Sequence, residues 1–376
     1  MKKIRVMHLL ANLNVGGMEN GVVNLANHID DSKFSMSICC LNTEGPLRGR
    51  LREDIKVFNM QQKPGKAFSL YIRLARLLMA ERVDIVHTHN SYTALYGIPA
   101  ARILHGPIVI HGEHGISDCT NGYRRYIKKL VLVLSHWVTT VSDGIGEDVE
   151  SLWGTPSEKI TVVPNGVDQE KYSRRELRTY VVNGSRKTKD GIILGAVGRL
   201  TDEKNYPLLL AAVKQVIQSV PNTRLIIIGD GPLRTVLESK ARELSISGSV
   251  DFLGERTDVP ELLNVMDMFI LASYSEGMAN CLLEAMAVGL PVIASDIKGN
   301  IEIVVDQKTG FLFQSGDQSA LVDKIIRLIG NPLLRKQFGE AGMGRVDKLF
   351  SIGKMVENYE RLYAELMMRK ALSRRF

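Results

Sequence analysis

Long hydrophobic runs are missing from this sequence, which excludes a membrane-spanning helix as its organising element. The longest apolar run, residues 130–141, contains Ser135 and His136 and is too short to cross a bilayer. The N-terminus begins with lysines, as a secretory signal would, but Arg5 and His8 interrupt its apolar stretch and no cleavage site follows. We therefore read residues 3–10 as a first strand.

Cysteine is scarce, with four residues at positions 39, 40, 119 and 281. Adjacent Cys39 and Cys40 should point to opposite faces of a strand, and no pair has the spacing of a metal site. We therefore expect that the protein resides in the reducing cytoplasm and has no disulfide framework.

Aromatic residues are also few, at 6%, and no module that interleaves aromatic and basic residues is visible, so nucleic acid is not an expected partner. The 48 basic residues outnumber the 41 acidic ones and leave a net charge of +7, which suits a nucleotide or an anionic membrane surface.

Strand-like and helix-like segments alternate along all 376 residues, a length that favours two domains. The alternation predicts an α/β fold with parallel sheets covered on both faces. Residues 173–190 are charged and aperiodic and indicate a linker. We expect a first domain at 1–175, a second at 190–352, and a helical tail at 353–376.

Ligands of such folds bind beyond the carboxyl ends of the strands, and several polar or glycine-rich segments of the first half fall there. Gly16 and Gly17 separate the first strand from a helix, as in a phosphate-binding loop. His87 and His89 end another strand, where a structural role and an acceptor contact are both open. His111 and His114 have a zinc-like spacing but no obvious third ligand, so we favour a hydrogen bond from His114 to a sugar.

The most informative stretch of the second half is residues 275–291, a turn that carries Glu276 followed by a helix that ends at Gly289. Glu284 interrupts an otherwise apolar helix, and a buried unpaired carboxylate would cost several kcal/mol. If the segment were helical throughout, the two carboxylates would lie roughly 12 Å apart, about the length of a sugar-diphosphate-ribose unit. The plain alternative is an amphipathic helix with two surface glutamates.

Two cations, Arg199 and Lys204, follow the first strand of the second half. They could neutralise a diphosphate and stabilise it as a leaving group, or they could simply be solvated. Residues 229–232 form a strand-end turn whose glycines serve backbone geometry. Gly254 and Arg256 follow another strand, where exposed backbone could pair with a nucleobase.

Residues 118–137 combine Arg124, Arg125, Lys128 and Lys129 with an apolar run. A basic, apolar-backed helix can lie on an anionic membrane. Packing on the sheet with a solvated basic face is an equally open alternative.

Over nearly its whole length the chain resembles retaining glycosyltransferases of family 4. The residues that carry this resemblance are, in chain order, 16–19, 86–89, 114–115, 164–168, 198–200, 204–205 and 276–284 with the Gly-Leu-Pro exit at 289–291. The segments Met-Glu-Asn-Gly-Val at 18–22 and His-Gly-Glu-His-Gly at 111–115 are similar to those of exopolysaccharide-associated sugar transferases.

The resemblance implies a GT-B fold, with two facing Rossmann-like domains and a last helix that crosses back to the first. It implies a nucleoside-diphosphate sugar as co-substrate, with UDP favoured, a glycan or lipid-linked acceptor, retention of anomeric configuration, and neither metal nor other cofactor. Its implied catalytic residues are Glu276 on the donor sugar, Arg199 and Lys204 on the diphosphate, and His114 beside the sugar.

The other implied contacts fall into two groups. Those to the donor involve Gly16, Gly17, Gly254, Arg256, Gly277, Met278, Ala279, Asn280 and, on the ribose, Glu284. Those on the acceptor side involve Glu19, His87 and His89. Met278 departs from the Phe that many members carry, which leaves the identity of the sugar open.

The sequence leaves three alternatives to sugar transfer. A nucleotide-sugar epimerase of the same fold is the nearest, but Glu276, Glu284 and the two cations favour transfer. A dinucleotide-dependent dehydrogenase would need a Gly-x-Gly-x-x-Gly fingerprint after its first strand, which neither half shows. A catalytically silent glycan- or membrane-binding module would not need paired cations and carboxylates.

Overall fold

The computed structural model describes residues 2–62, 67–103, 106–115, 122–175, 181–182, 185–186 and 191–373. The chain divides into two compact units, Met1–Gly166 together with Ile352–Phe376, and Val167–Ser351. Much of the predicted linker at 173–190 lies outside the described residues, so its boundaries stay predictions.

The first unit is built on a seven-stranded sheet whose paired strands are all parallel. Its strands are β1 (Ile4–Leu10), β2 (Phe34–Cys40), β3 (Lys56–Asn59), β4 (Ile85–Thr88), β5 (Ile108–Glu113), β6 (Trp137–Thr140) and β7 (Ile160–Val162). They lie in the order β3-β2-β1-β4-β5-β6-β7. The helices between them are α1 (Gly17–His28), α2 (Ala67–Ala80), α3 (Ser91–Ile103), α4 (Gly122–Leu134) and α5 (Asp143–Trp153). Short 3-10 turns occupy Pro46–Arg50 and Ser157–Lys159.

Alternate residues of β1 serve two hydrophobic layers, one on each face of this sheet. Val6 and Leu10 belong to one cluster, and Met7 and Leu9 belong to the other. Successive strand residues point to opposite faces, so a strand covered on both sides is apolar at nearly every position. Cys39 and Cys40 divide between the layers in the same way, as predicted.

The second unit has a six-stranded parallel sheet in the order β12-β11-β10-β13-β14-β15. A two-stranded hairpin, β8 (Val181–Val182) with β9 (Ser185–Arg186), precedes it. The six strands are β10 (Ile192–Val197), β11 (Thr223–Ile228), β12 (Val250–Phe252), β13 (Met268–Leu271), β14 (Val292–Ser295) and β15 (Gly310–Phe313). The helices are α6 (Tyr206–Ser219), α7 (Arg234–Glu243), α8 (Val259–Val265), α9 (Asn280–Ala287), α10 (Lys298–Ile301), α11 (Gln318–Ile329) and α12 (Pro332–Leu349). Short 3-10 turns occupy Asp202–Lys204 and Ser247–Ser249.

The last helix, α13 (Ile352–Ser373), returns to the first unit and packs beside α1. Its buried residues Met355, Tyr359 and Tyr363 join the same hydrophobic layer as Val6 of β1. The α/β class, the parallel sheets and the return of the last helix are therefore confirmed. No helix among the described residues is both long enough and apolar enough to cross a bilayer.

Candidate active site

A tight ionic cluster lies at the carboxyl edge of the second sheet, where β10 and β13 pair as neighbours. The Lys204 Nζ lies 2.5 Å from Oε1 of Glu276, and the Ser273 hydroxyl donates to the same oxygen over 2.7 Å. The lysine and glutamate side chains are 19% and 11% exposed. Burial opposes the charge of Lys204, but Cys281 and Glu276 beside it hold its pKa above the usual value.

The loop that carries Glu276 rests on a buried polar network that sequence reasoning missed. The Ser295 hydroxyl donates to the Ser273 carbonyl over 2.6 Å, and the Asn300 amide donates to the Ser295 carbonyl over 3.0 Å. A Cβ at Gly299 would lie 2.4 Å from the Glu276 carbonyl oxygen, so only glycine lets α10 approach this closely. Ser273 lies two residues after β13 and Ser295 is the last residue of the neighbouring strand β14. This position beside strand ends was the one sequence signal for them.

Only part of the 276–284 segment is helical, because α9 begins at Asn280. The separation of roughly 12 Å expected for a continuous helix therefore does not apply. Met278 and Ala279 are buried before the helix, whereas Gly277, Asn280 and Glu284 are partly exposed. Ala279 is the N-cap and supplies no side-chain hydrogen bond to the first turn.

The remaining donor-side candidates of the second unit follow two strands: Arg199 follows β10, and Gly254 and Arg256 follow β12. Arg199 is exposed in the connection between β10 and Lys204. The nearby 229–232 turn braces this connection, since Leu200 N–H donates to the Asp230 carbonyl over 3.0 Å. Gly254 accepts a backbone hydrogen bond from Gly229. Arg256 instead makes a two-pronged contact with Asp258, at 2.7 and 2.6 Å.

In the first unit, Gly16 caps α1 in an extended conformation and Gly17 begins the helix. The predicted strand, glycine turn and helix are therefore confirmed. The Glu19 carboxylate folds back over Gly16, since a Cβ there would lie 2.3 Å from its Oε2. The Asn20 side-chain amide donates to the Gly16 carbonyl over 2.8 Å.

His111 and its neighbour Glu113 point to the sheet face that α4 covers. The His111 Nδ1 lies 2.9 Å from the Thr88 hydroxyl, and its Nε2 lies 3.1 Å from Glu113. Lys128 of α4 completes the group with a 3.0 Å contact to Glu113. Burial opposes the charge of Glu113, but His111 and Lys128 hold its pKa below the usual range.

His87, His89 and His114 gather apart from His111, and His8 of β1, which sequence reasoning missed, joins them. His87 is fully buried, His89 is 3% exposed, and His114 is half-buried. Nitrogen atoms of His8, His87 and His89 lie within 4.8 Å of one another, close enough to suggest a metal site. Each nitrogen of these three rings, however, already has a hydrogen-bond partner in the protein. His111 is not in that group, so the His111–His114 spacing brings no shared site together among the described residues.

Comparison with known proteins identifies this architecture. The profile described as "Glycosyltransferase Family 4" matches residues 15–171, and that described as "Glycosyl transferases group 1" matches residues 182–345. The chain is 28% identical to the UDP-Gal:alpha-D-GlcNAc-diphosphoundecaprenol alpha-1,3-galactosyltransferase of Escherichia coli, over 98% of both chains. It is 30% identical to the putative glycosyltransferase EpsF of Bacillus subtilis strain 168, over 78% of this chain and 79% of that one.

A solved structure with a similar fold is Anabaena Alr3699/HepE in complex with UDP. Its TM-score is 0.81 at 19% identity, over 97% of this chain and all of that one. The two parallel sheets and this likeness define the GT-B fold. The chain belongs to glycosyltransferase family 4.

Proposed function

We propose that this enzyme transfers a hexosyl or N-acetylhexosaminyl group from a UDP-sugar to a lipid-linked glycan in polysaccharide synthesis, with retention of configuration. The observation that carries the proposal is the Lys204–Glu276 pair at the carboxyl edge of the second sheet, held by Ser273. Similarity to the E. coli galactosyltransferase over 98% of the chain supports the choice of donor and acceptor.

The chemistry needs positive charge at the diphosphate and a hydrogen-bond acceptor at the sugar. In the transfer, the bond from the anomeric carbon to the diphosphate breaks, and the acceptor oxygen bonds to the same face of that carbon. The acceptor's proton passes to the departing diphosphate oxygen. Arg199 and Lys204 would stabilise the negative charge that develops there, and Glu276 would accept a hydrogen bond from a sugar hydroxyl.

The further donor contacts that we propose are those the family resemblance implies. In the second unit, the 277–280 loop would hold sugar and phosphate and Glu284 would hold the ribose. In the first unit, His114 would contact the sugar. No step of this proposal passes through a metal ion.

We also propose that α4 docks on an anionic membrane that carries the lipid-linked acceptor. Tyr123, Tyr126, Leu130 and Val133 are exposed, and their helical spacing gives an apolar stripe. Exposed basic residues lie beside it, namely Arg124, Arg125 and Lys129. An apolar stripe with basic borders is typical of helices that lie in a membrane interface.

A donor panel tests the proposed activity. UDP-, GDP- and ADP-sugars are screened by thermal shift, because a ligand that binds only the folded state raises its melting temperature. The stabilising sugars are then incubated, with and without EDTA, with N-acetylglucosamine-diphosphoundecaprenol. We expect a UDP-sugar to stabilise the protein and to give a product of unchanged anomeric configuration in both buffers. Epimerised UDP-sugar without an acceptor product would establish the epimerase instead.

A further inference from the structure

A continuous row of hydrogen-bonded side chains crosses the first unit from its last helix to His114. The Tyr363 hydroxyl of α13 lies 3.3 Å from Nε2 of His8, and Nδ1 of His8 lies 2.6 Å from Nε2 of His89. The Nδ1 of His89 lies 2.9 Å from Nε2 of His114. These four residues, Tyr363, His8, His89 and His114, form what we name the histidine row.

The strands and one glycine bring the rings together. His8 and His87 are register partners in β1 and β4, and the rings of His8 and His89 stack with centroids 4.9 Å apart. A Cβ at Gly112 of β5 would lie only 3.1 Å from Nε2 of His114 and 3.3 Å from Nδ1 of His89. Any larger residue at 112 would therefore press on the rings.

The three imidazole rings of the histidine row, those of His8, His89 and His114, are neutral over the physiological pH range. Burial, with a smaller contribution from His114, lowers the pKa of His8 to about 3. Burial is also the largest influence on His114, whose pKa falls to about 4, and on His89, whose pKa lies well below its usual value. A neutral imidazole has one N–H donor and one acceptor nitrogen.

That restriction makes the row cooperative, because each ring that accepts at one nitrogen must donate at the other. In one arrangement Tyr363 donates to His8, His8 donates to His89, and His89 donates to His114. In the reverse arrangement every one of these hydrogen bonds changes direction. The two arrangements differ at the end of the row in whether Nδ1 of His114 carries a proton.

The far end of the row supports both directions. Tyr363 also lies 3.0 Å from Nδ1 of His87, whose Nε2 lies 3.3 Å from the Thr139 hydroxyl. A hydroxyl both donates and accepts, so Tyr363 and Thr139 can follow either arrangement. At the near end, Nδ1 of His114 is buried and has no hydrogen-bond partner among the described residues.

We propose that Tyr363, through His8 and His89, sets the tautomer of His114 and so decides whether its Nδ1 offers a proton or a lone pair to a ligand. Tyr363, His8 and His89 are positioning residues in this role. The inference deepens the proposed function, since it rests on His114 facing the donor sugar, but the tautomer itself can be measured without any sugar.

The direct test is nitrogen-15 NMR of the full chain with labelled histidine, in which neutral Nδ1–H and Nε2–H tautomers give separate signals. His114→Gln identifies the His114 signals. Tyr363→Phe removes one hydroxyl and should change the tautomer ratio of His114, although the row runs through two other rings between them. Tyr92→Phe, which removes a hydroxyl that contacts Asn42 over 2.8 Å in the same unit, should leave that ratio unchanged.

A kinetic cycle supplies the second readout. Tyr363→Phe should slow transfer roughly tenfold, the effect of one net hydrogen bond. In a His114→Gln background it should slow transfer less than about twofold, because a residue that acts through another adds nothing once that other is gone. A purely structural tyrosine would give equal losses in both backgrounds, which would overturn the proposal.

If Tyr363→Phe does not fold, Gly112→Ala is the second variant, and it keeps every ring of the row. Its new Cβ would lie 3.1 Å from Nε2 of His114 and 3.3 Å from Nδ1 of His89, which is close enough to displace both rings. It should therefore also change the His114 tautomer ratio. Unchanged His114 signals in the folded variant would overturn the inference. If the proposed sugar transfer is wrong but the tautomer inference is right, the result is different. The His114 NMR signals would still respond to the substitutions, while neither the parent protein nor any variant would transfer a sugar.

Discussion

At the scale of single residues, Lys204 and Glu276 neutralise one another at a mostly buried sheet edge. A buried charge without a partner is costly, and each group of this pair supplies the other with that partner. A diphosphate that binds Lys204 would compete for its hydrogen bonds and release the Glu276 carboxylate toward a sugar hydroxyl. The pair would thus hold both groups ready for the donor.

The first unit should lose stability in mild acid because of its buried histidines. The pKa values of His8, His87, His89 and His114 lie below the unfolded value of about 6.5, chiefly through burial. Below that pH the unfolded chain binds protons that the folded chain refuses, so stability is complete above about 6.5 and falls as the pH drops toward the folded values. We expect each such histidine to remove up to about 2 kcal/mol between pH 6.5 and 5.

Urea unfolding followed by tryptophan fluorescence measures this loss, since both tryptophans, Trp137 and Trp153, lie in the first unit. A urea midpoint of unfolding that stays constant from pH 7.5 to 5.5 would show that these four histidines are not held neutral in the folded protein.

The sequence reveals the charged residues of the candidate site better than the polar residues that hold them in place. Arg199, Lys204 and Glu276 stand out because charge at a strand end is unusual enough to notice. Ser295 and Asn300 do not, because small polar residues are common after strands and only the fold shows which of them meet. His8 was hidden for a similar reason, as its hydrogen-bond partners His89 and Tyr363 lie 81 and 355 positions away along the chain.

At the scale of elements, α4 shows what a charge pattern can and cannot predict. Arg124, Arg125 and Lys129 are exposed, as a basic surface helix requires. Lys128 is only 3% exposed and pairs with Glu113, so it cannot contribute to a docking face. Losing one partner of such a buried pair costs about 3–5 kcal/mol, and a test of docking must therefore leave Lys128 in place.

Replacing Arg124, Arg125 and Lys129 together with Ser should weaken binding to anionic phosphatidylglycerol vesicles by about 100-fold, at about 1 kcal/mol for each basic residue near the surface. Co-sedimentation measures the partitioning. The matched control replaces Lys308, Lys336 and Lys348, three exposed lysines of the second unit, with Ser. Equal partitioning of the two triple variants would mean that net charge, and not α4, attracts the protein to the membrane.

Helix α3 forms although its sequence contains two helix breakers, Gly97 and Pro99. Pro99 removes one backbone donor and Gly97 has the lowest helix propensity after proline. The helix forms because Gly97 packs on β1 and β4, where a Cβ would lie 2.6 Å from Leu9 and 2.8 Å from Thr88. Tertiary packing here outweighs a local preference that the sequence alone displays.

At the scale of the whole molecule, the alternation of strands and helices was sufficient to predict two parallel α/β sheets. The first strand, predicted at residues 3–10, is β1 (Ile4–Leu10) in the structure. The order of strands within each sheet could not be predicted, because parallel pairing depends on crossovers that leave no local signal. The identity of the sugar depends on side chains that reach the donor and likewise has no sequence pattern.

Steady-state turnover with a stabilising UDP-sugar tests most directly whether the Lys204–Glu276 pair carries sugar transfer. Glu276→Ala and Lys204→Ala should each slow transfer by tens-fold or more, a loss of about 2–4 kcal/mol of charge stabilisation. Arg224→Ala breaks a comparable ion pair in the same unit, to Asp251 at 2.8 Å, and should stay within about twofold of the parent because the pair is part-exposed. Near-parental turnover by folded Glu276→Ala or Lys204→Ala would show that this pair does not carry the transfer.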